Sequence, residues 1–291
     1  MAALVLVLGA CQSLPTATVE PLPDYEALFT RSQGWIGADA IYSVALASDQ
    51  TIWLFGDTFW GRVADGRRHD ALLINNTVAV QTGRSPPHAD FSFYAGHQAK
   101  GEPSALIRPA DGKGWFWIYD GIQTGSGLYL FLVQIERSKD PSVFGFQLVG
   151  NWLGHIANPQ DSPDRWQITQ RRLPWTGVSG LNPILFGSAV LAVGNDLYIY
   201  GARDRISGSQ LQKDMLVARV PIGQLADFHL WRFYAGDHWA NTIEEAASAC
   251  EEVANEYSVS YLPRLKKYVL VYSESGLSPN ILARLAGAPT G

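Results

Sequence analysis

Asp39-Ala-Ile-Tyr-Ser-Val-Ala-Leu46, followed by Ile52-Trp-Leu-Phe-Gly-Asp57, is the stretch on which the fold of this 291-residue chain turns. Two runs rich in β-branched and aromatic residues flank the turn signal Ser48-Asp49-Gln50, so the segment predicts an antiparallel hairpin. An acid stands immediately before its first strand. The same form returns as Glu102-Pro-Ser-Ala-Leu-Ile107 leading to Phe116-Trp-Ile-Tyr-Asp120, and as Glu256-Tyr-Ser-Val-Ser-Tyr261 leading to Tyr268-Val-Leu-Val-Tyr272. A further copy, Gly187-Ser-Ala-Val-Leu-Ala192 leading to Leu197-Tyr-Ile-Tyr-Gly-Ala-Arg-Asp204, has no acid at that position. From acid to second-strand core is 14 residues for Asp39 to Trp53, 15 for Glu102 to Trp117 and 13 for Glu256 to Val269.

Third strands are predicted at Leu72 to Val80, Gly127 to Ile135 and Asp214 to Val220, with outer strands at Phe91 to Phe93, Phe144 to Leu148 and Phe228 to Phe233. Units of four antiparallel strands repeated along a chain are propeller blades. Four are countable, and the chain stops in what reads as blade material. The expected fold is therefore all-β, a five-bladed β-propeller that is C-terminally incomplete, with residues 24–37 as an alternative source of a closing strand. Only Pro221 to Phe228 and Thr242 to Ala254 read as helical.

Composition narrows the function classes. A 47% apolar share builds a core, and a net charge of −5 excludes the basic footprint that nucleic acid requires. Ten tryptophans stand out; some are expected in the core, and tryptophan is also a stacking surface for sugar rings. Residues 1–11 are apolar and too short to span a bilayer, and Leu8-Gly9-Ala10-Cys11 matches a bacterial lipobox. Cys11 is the expected lipidation site, residues 12–33 a tether, and residues 34–291 the propeller domain. The protein is then expected in the cell envelope, on its periplasmic or cell-surface face, held to the membrane by that lipid. The scattered histidines have no metal-ligand spacing, and no metal or cofactor is expected.

If the blades ring an axis, the acids converge on one pocket. Asp39 and Asp57 lie at one rim because a hairpin returns to the face it left, and Asn76 opens the third strand beside them. Glu102 and Glu256 enter from other blades. Carboxylates held close together, partly buried, have their pKa values driven apart. One then serves as proton donor and another as base or nucleophile, the division of labour that glycoside hydrolysis needs. Trp35 and Trp60 are placed to stack on sugar rings, and Arg108 and Arg284 to orient hydroxyls. Asp120, Asp164 and Asp204 read as turn or surface residues.

The motifs Gly34-Trp-Ile-Gly-Ala-Asp-Ala-Ile-Tyr-Ser43, Ile52-Trp-Leu-Phe-Gly-Asp-Thr58, Asn75-Asn-Thr77 and Glu256-Tyr-Ser-Val-Ser-Tyr261 resemble a bacterial family of uncharacterised five-bladed propellers. The third-blade motifs Gly187-Ser-Ala-Val190 and Leu197-Tyr-Ile-Tyr-Gly201 belong to the same resemblance. Some members of that broader family are endo-D-arabinanases. The resemblance implies an extracytoplasmic glycoside hydrolase acting on a furanose-containing or related polysaccharide. Asp39 and Asp57 would lead its chemistry, with Glu256 and Glu102 as further pocket acids. Ala40 stands where many such motifs have glycine. The alternative is a non-catalytic carbohydrate-binding or envelope-associated lipoprotein, and a third reading is a propeller used only as a protein-interaction platform.

Overall fold

A computed structural model describes residues 12–13, 20–83, 85, 88–138, 145–176, 182–207, 210–276 and 278–291. Cys11 lies outside the described residues. The chain is almost entirely β, and four antiparallel sheets of four or five strands form its blades. Blade one is Tyr42–Ala45, Gln50–Phe55, Thr77–Thr82 and Asp90–Tyr94. Blade two is Trp115–Thr124, Gly127–Arg137, Phe146–Ile156 and Ile168–Arg172. Blade three is Ile184–Val193, Asp196–Ser207, Gln210–Pro221, Arg232–Tyr234 and Trp239–Ala240. Blade four is Tyr257–Leu262, Lys267–Ser273 and Ile281–Ala286, completed at its outer edge by Gln12–Ser13, which pairs with Leu285 and Arg284. The first strands of the four blades pack on one another in chain order, as the inner strands of a propeller do. Four blades stand among the described residues, the number countable in the sequence.

Each blade alternates because its strands do. Ile52 and Leu54, Phe116 and Ile118, and Leu197 and Ile199 are all buried at two-residue spacing, and they join one apolar cluster running between blades one, two and three. Much of the tryptophan content goes into this packing. Trp231 is fully buried and stacks with Trp175, their ring centroids 4.7 Å apart. A second cluster, with Tyr200, Val217, Tyr257 and Leu270, joins blades three and four.

Neighbouring blades are pinned by buried asparagines. Asn76 Nδ2 donates to the carbonyls of Ile107 and Phe116, each at 2.8 Å, and its Oδ1 accepts from Ile107 N at 2.8 Å. Asn151 repeats this one blade on, accepting from Phe186 N at 2.7 Å and donating to Leu132 O at 3.3 Å. In both cases the asparagine's own carbonyl also accepts a backbone N–H from the returning chain, from Leu106 and Leu173 respectively. Asn76 is thus an inter-blade pin with no exposed surface, and not a sugar-binding group.

Several expected elements are corrected. The single strand expected from Leu72 to Val80 is two strands broken at Asn75-Asn76. Arg67–Ile74 belongs to a separate three-stranded sheet with Gln33–Ala38 and Thr58–Ala64. The Glu102 run does not open a blade: only Pro103–Ser104 pairs, with Gly96–His97, and Pro103 has no N–H for a longer ladder. Pro221 to Phe228 and Thr242 to Ala254 form only the short 3-10 turns Phe228–Leu230 and Ile243–Glu245. The α-helix is Pro23–Phe29, inside the segment expected as a tether; Pro23 in its first turn presets φ, and Asp24 and Glu26 suit its positive N-terminal end. Phe29 then packs on Trp35, Trp53, Phe55 and Phe91.

Candidate active site

The inner strands share a device at the point where they enter their hairpins. Glu256 stands immediately before Tyr257, the first paired residue of blade four. In blade two the ladder skips between Ile118 and Gly121, and Asp120 occupies the bulge. In blade three it skips between Phe186 and Ala189, with Ser188 at the corresponding place. Blade one carries Asp39 there, locked by its backbone: Asp39 N donates to Asp57 O and Gly56 N donates to Asp39 O, both at 3.1 Å. Bulges re-aim side chains, and here Asp120 accepts from Val190 N of blade three while Ser188 Oγ donates to the carbonyl of Asn255, the residue before Glu256.

Asp39 is followed by Ala40 at φ 46°, a left-handed conformation costly for a residue with a Cβ. The reversal lets the chain leave the three-stranded sheet and enter blade one within three residues, with Asp39 at the corner. Gly56 is required opposite it, because a Cβ there would lie 2.6 Å from Asp39 Oδ1.

The side chains form a linked group. Asp57 Oδ1 accepts from Asn75 Nδ2 at 3.2 Å and from Trp117 Nε1 at 2.9 Å, so blade two reaches across to hold blade one's second acid. Asp120 Oδ1 accepts from Gly121 N and its Oδ2 from Val190 N, both at 2.8 Å, tying blade two to blade three. Tyr42 and Tyr119 stack beneath, ring centroids 5.8 Å apart. No group of three acidic, histidine or cysteine side chains among the described residues is close enough to share a metal ion. The carboxyls are spread apart rather than gathered at a point.

Their electrostatics separate them. Enclosure by protein pushes Glu256 up to about 7, and the Asp39 charge adds to the rise. Asp120 is likewise pushed up to about 7 by burial, against the opposing N–H groups of Gly121 and Val190. Asp39 is raised by burial first and by the Asp57 charge second, with the Asp57 backbone N–H working the other way. Asp39 and Glu256 are nevertheless exposed to solvent. Solvent tempers the rise on Glu256, and its upward direction is what the chemistry uses.

Of the residues expected here, the structure brings together Asp39, Asp57 and Glu256. Glu102 is exposed beside the short Gly96–Ser104 ribbon and shares no hydrogen bond with them. Trp35 is 3% exposed and stacked on Phe93 at 4.8 Å, closed to any ligand. Trp60 is half-buried on the three-stranded sheet, cross-strand from Trp35. Arg108 is exposed and bonds Ser104 Oγ. Arg284 sits on the third strand of blade four, donating to Cys250 Sγ and to Glu251 O, over the ring of Tyr272. Asp120 is the acid the sequence reading missed. Its signal was the repeated step from a residue at the hairpin entrance into alternation: Asp39-Ala-Ile-Tyr, Asp120-Gly-Ile-Gln, Ser188-Ala-Val-Leu and Glu256-Tyr-Ser-Val.

Residues 23–291 match the profile of a domain of unknown function, DUF5005, and the chain belongs to that family. No functionally curated protein matches it. Among solved structures, a candidate hydrolase from Bacteroides ovatus ATCC 8483 superposes with a TM-score of 0.70 at 18% identity, over 92% of this chain and 71% of that one. The α-L-arabinofuranosidase of Podospora anserina, in complex with cellotriose, gives 0.46 at 11% identity, over 89% and 66% of the two chains. The catalytic domain of the Coprinopsis cinerea α-L-arabinofuranosidase of family GH62 gives 0.47 at 9%, over 97% and 70%. The first of these likenesses establishes a shared fold.

Proposed function

We propose that this member of DUF5005 is a glycoside hydrolase whose substrate is a furanose-containing or related polysaccharide, cleaved beside the solvent-exposed carboxyls of Asp39 and Glu256. The observation that carries the reading is the separation of these two carboxyls by their surroundings. Glu256 is raised by desolvation first and by the Asp39 charge second, an arrangement in which Glu256 keeps its proton to higher pH than an ordinary carboxyl. Glu256 then gives its proton to the glycosidic oxygen as the C–O bond breaks. Asp39 acts on the anomeric carbon directly or through a water whose proton it takes. Asp57, gripped by Trp117 and Asn75, fixes the corner that holds Asp39 and keeps negative charge beside it. Asp120 holds two inner strands in register.

In the cell the enzyme is placed in the envelope, tethered through Cys11, and a fifth blade belongs to the same proposal. The test is product release from a panel of arabinans, galactans and fructans, comparing the unaltered chain with Asp39→Asn and Glu256→Gln. Cleavage of one polymer, lost in both variants while binding persists, supports the hydrolase. Binding without cleavage by the unaltered chain replaces it with a sugar-binding lipoprotein.

A further inference from the structure

Tyr42 opens the inner strand of blade one and is 9% exposed, yet its hydroxyl is shut off from water and has no hydrogen-bond partner. A phenol left this way loses its hydrogen bonds to water and regains none. Its surroundings offer acceptors, which must be taken in turn. Both oxygens of Asp120 already accept backbone N–H groups. Asp57 Oδ1 is taken by Trp117 and Asn75, and Asp39 accepts the backbone N–H of Asp57. Glu256 alone of the four accepts nothing from the described residues. The Tyr257 hydroxyl is already spent on Gly201 O at 2.7 Å. Tyr42 lies within the field of Glu256, which also reaches Tyr119, the ring stacked on Tyr42. A buried donor and an exposed carboxyl, neither with a partner among the described residues, therefore share one end of the propeller, and the carboxyl is on a long side chain with three rotatable bonds.

We propose that Tyr42 is a positioning residue for Glu256: its hydroxyl is kept without a partner so that it donates to the Glu256 carboxylate once that group has lost its proton. The inference rests on the reading of Glu256 as proton donor. In the cleavage step the Glu256 proton passes to the glycosidic oxygen, the C–O bond breaks with its electron pair on that oxygen, and the carboxylate left behind closes on the Tyr42 O–H. The phenol keeps its own proton throughout. Burial, with the charges of Glu256 and Asp120 and the neighbouring phenols of Tyr119 and Tyr257, holds Tyr42 neutral well above ordinary pH.

The test needs no substrate. The full chain labelled with carboxyl-13C glutamate is titrated by NMR, the Glu256 signal being identified by its absence in Glu256→Gln. In Tyr42→Phe the Glu256 transition is expected to move up by about one pH unit, a tenfold change in acidity. An unmoved transition overturns the proposal. Should Tyr42→Phe not fold, labelling Tyr42 at 13Cζ in the unaltered chain decides: its shift must follow the Glu256 titration and go flat in Glu256→Gln. A Tyr42 signal indifferent to Glu256 refutes the pairing. A chain that cleaves no glycan sinks the hydrolase reading, while the titration still decides what Tyr42 does.

Discussion

At Gly56 the site depends on an absent methyl group, since a Cβ would stand 2.6 Å from Asp39 Oδ1. Gly56→Ala is expected to push the Asp39 carboxyl from its corner and lower turnover at least tenfold, about 1.4 kcal/mol of barrier, with folding retained by circular dichroism. Unchanged turnover would show that Asp39 is not the base. Asp120 makes a second residue-scale prediction through pH. Its folded pKa of about 7 lies above the unfolded carboxylate value of 3.8, so the folded chain binds a proton that the unfolded chain has released. The stability this group contributes is therefore full below about pH 4 and is lost as pH rises toward 7. Asp120→Asn cannot ionise, so its melting temperature relative to the unaltered chain should climb between pH 4 and 7. A difference that stays flat across that window would contradict the buried, raised carboxyl.

At the scale of elements, Asn76 and Asn151 do for blades what a cap does for a helix, satisfying backbone groups that no ladder reaches. Asn76→Ala strands the Ile107 N–H and two carbonyls in the interior, so urea unfolding should report a loss of about 2–4 kcal/mol. A loss under about 1 kcal/mol would mean that water replaces the pin. Ala40 works the other way: at φ 46° it carries the strain of the corner, and Ala40→Gly should stabilise the chain by about 0.5–1 kcal/mol. These elements also mark where the sequence was legible. The hairpins of blades one, three and four were readable because alternation and turn residues agree along them. Blade two was misread because Trp115–Thr124 is an inner strand whose continuity through the Asp120 bulge looks, in sequence, like a strand ending in a turn aspartate. The separate three-stranded sheet was invisible because Leu72, Leu73 and Ile74 run without a break into Asn75-Asn76 and the next strand. Strand continuity was assumed where only the pairing partner changes.

On the scale of the whole molecule, the all-β blade architecture follows from period-two patterning repeated along the chain, and a likeness at a TM-score of 0.70 with a Bacteroides ovatus structure shares that fold. The acids were half legible for the same reason. Asp39, Asp57 and Glu256 flank hairpins that local pattern identifies, whereas Asp120 belongs to the site only through a bulge, and Glu102 was set there by a pairing that does not form. Convergence on an axis is a property of the closed arrangement, and no local window of sequence contains it. The central claim is that Glu256 gives a proton to a departing sugar oxygen. The measurement that tests it most directly compares Glu256→Gln on a cleaved polymer and on an aryl furanoside whose phenolate leaves without protonation. Polymer cleavage should fall roughly 10²–10⁴-fold while bond breaking in the aryl glycoside is nearly unaffected. Equal loss on both substrates would contradict the assignment of Glu256 as the acid.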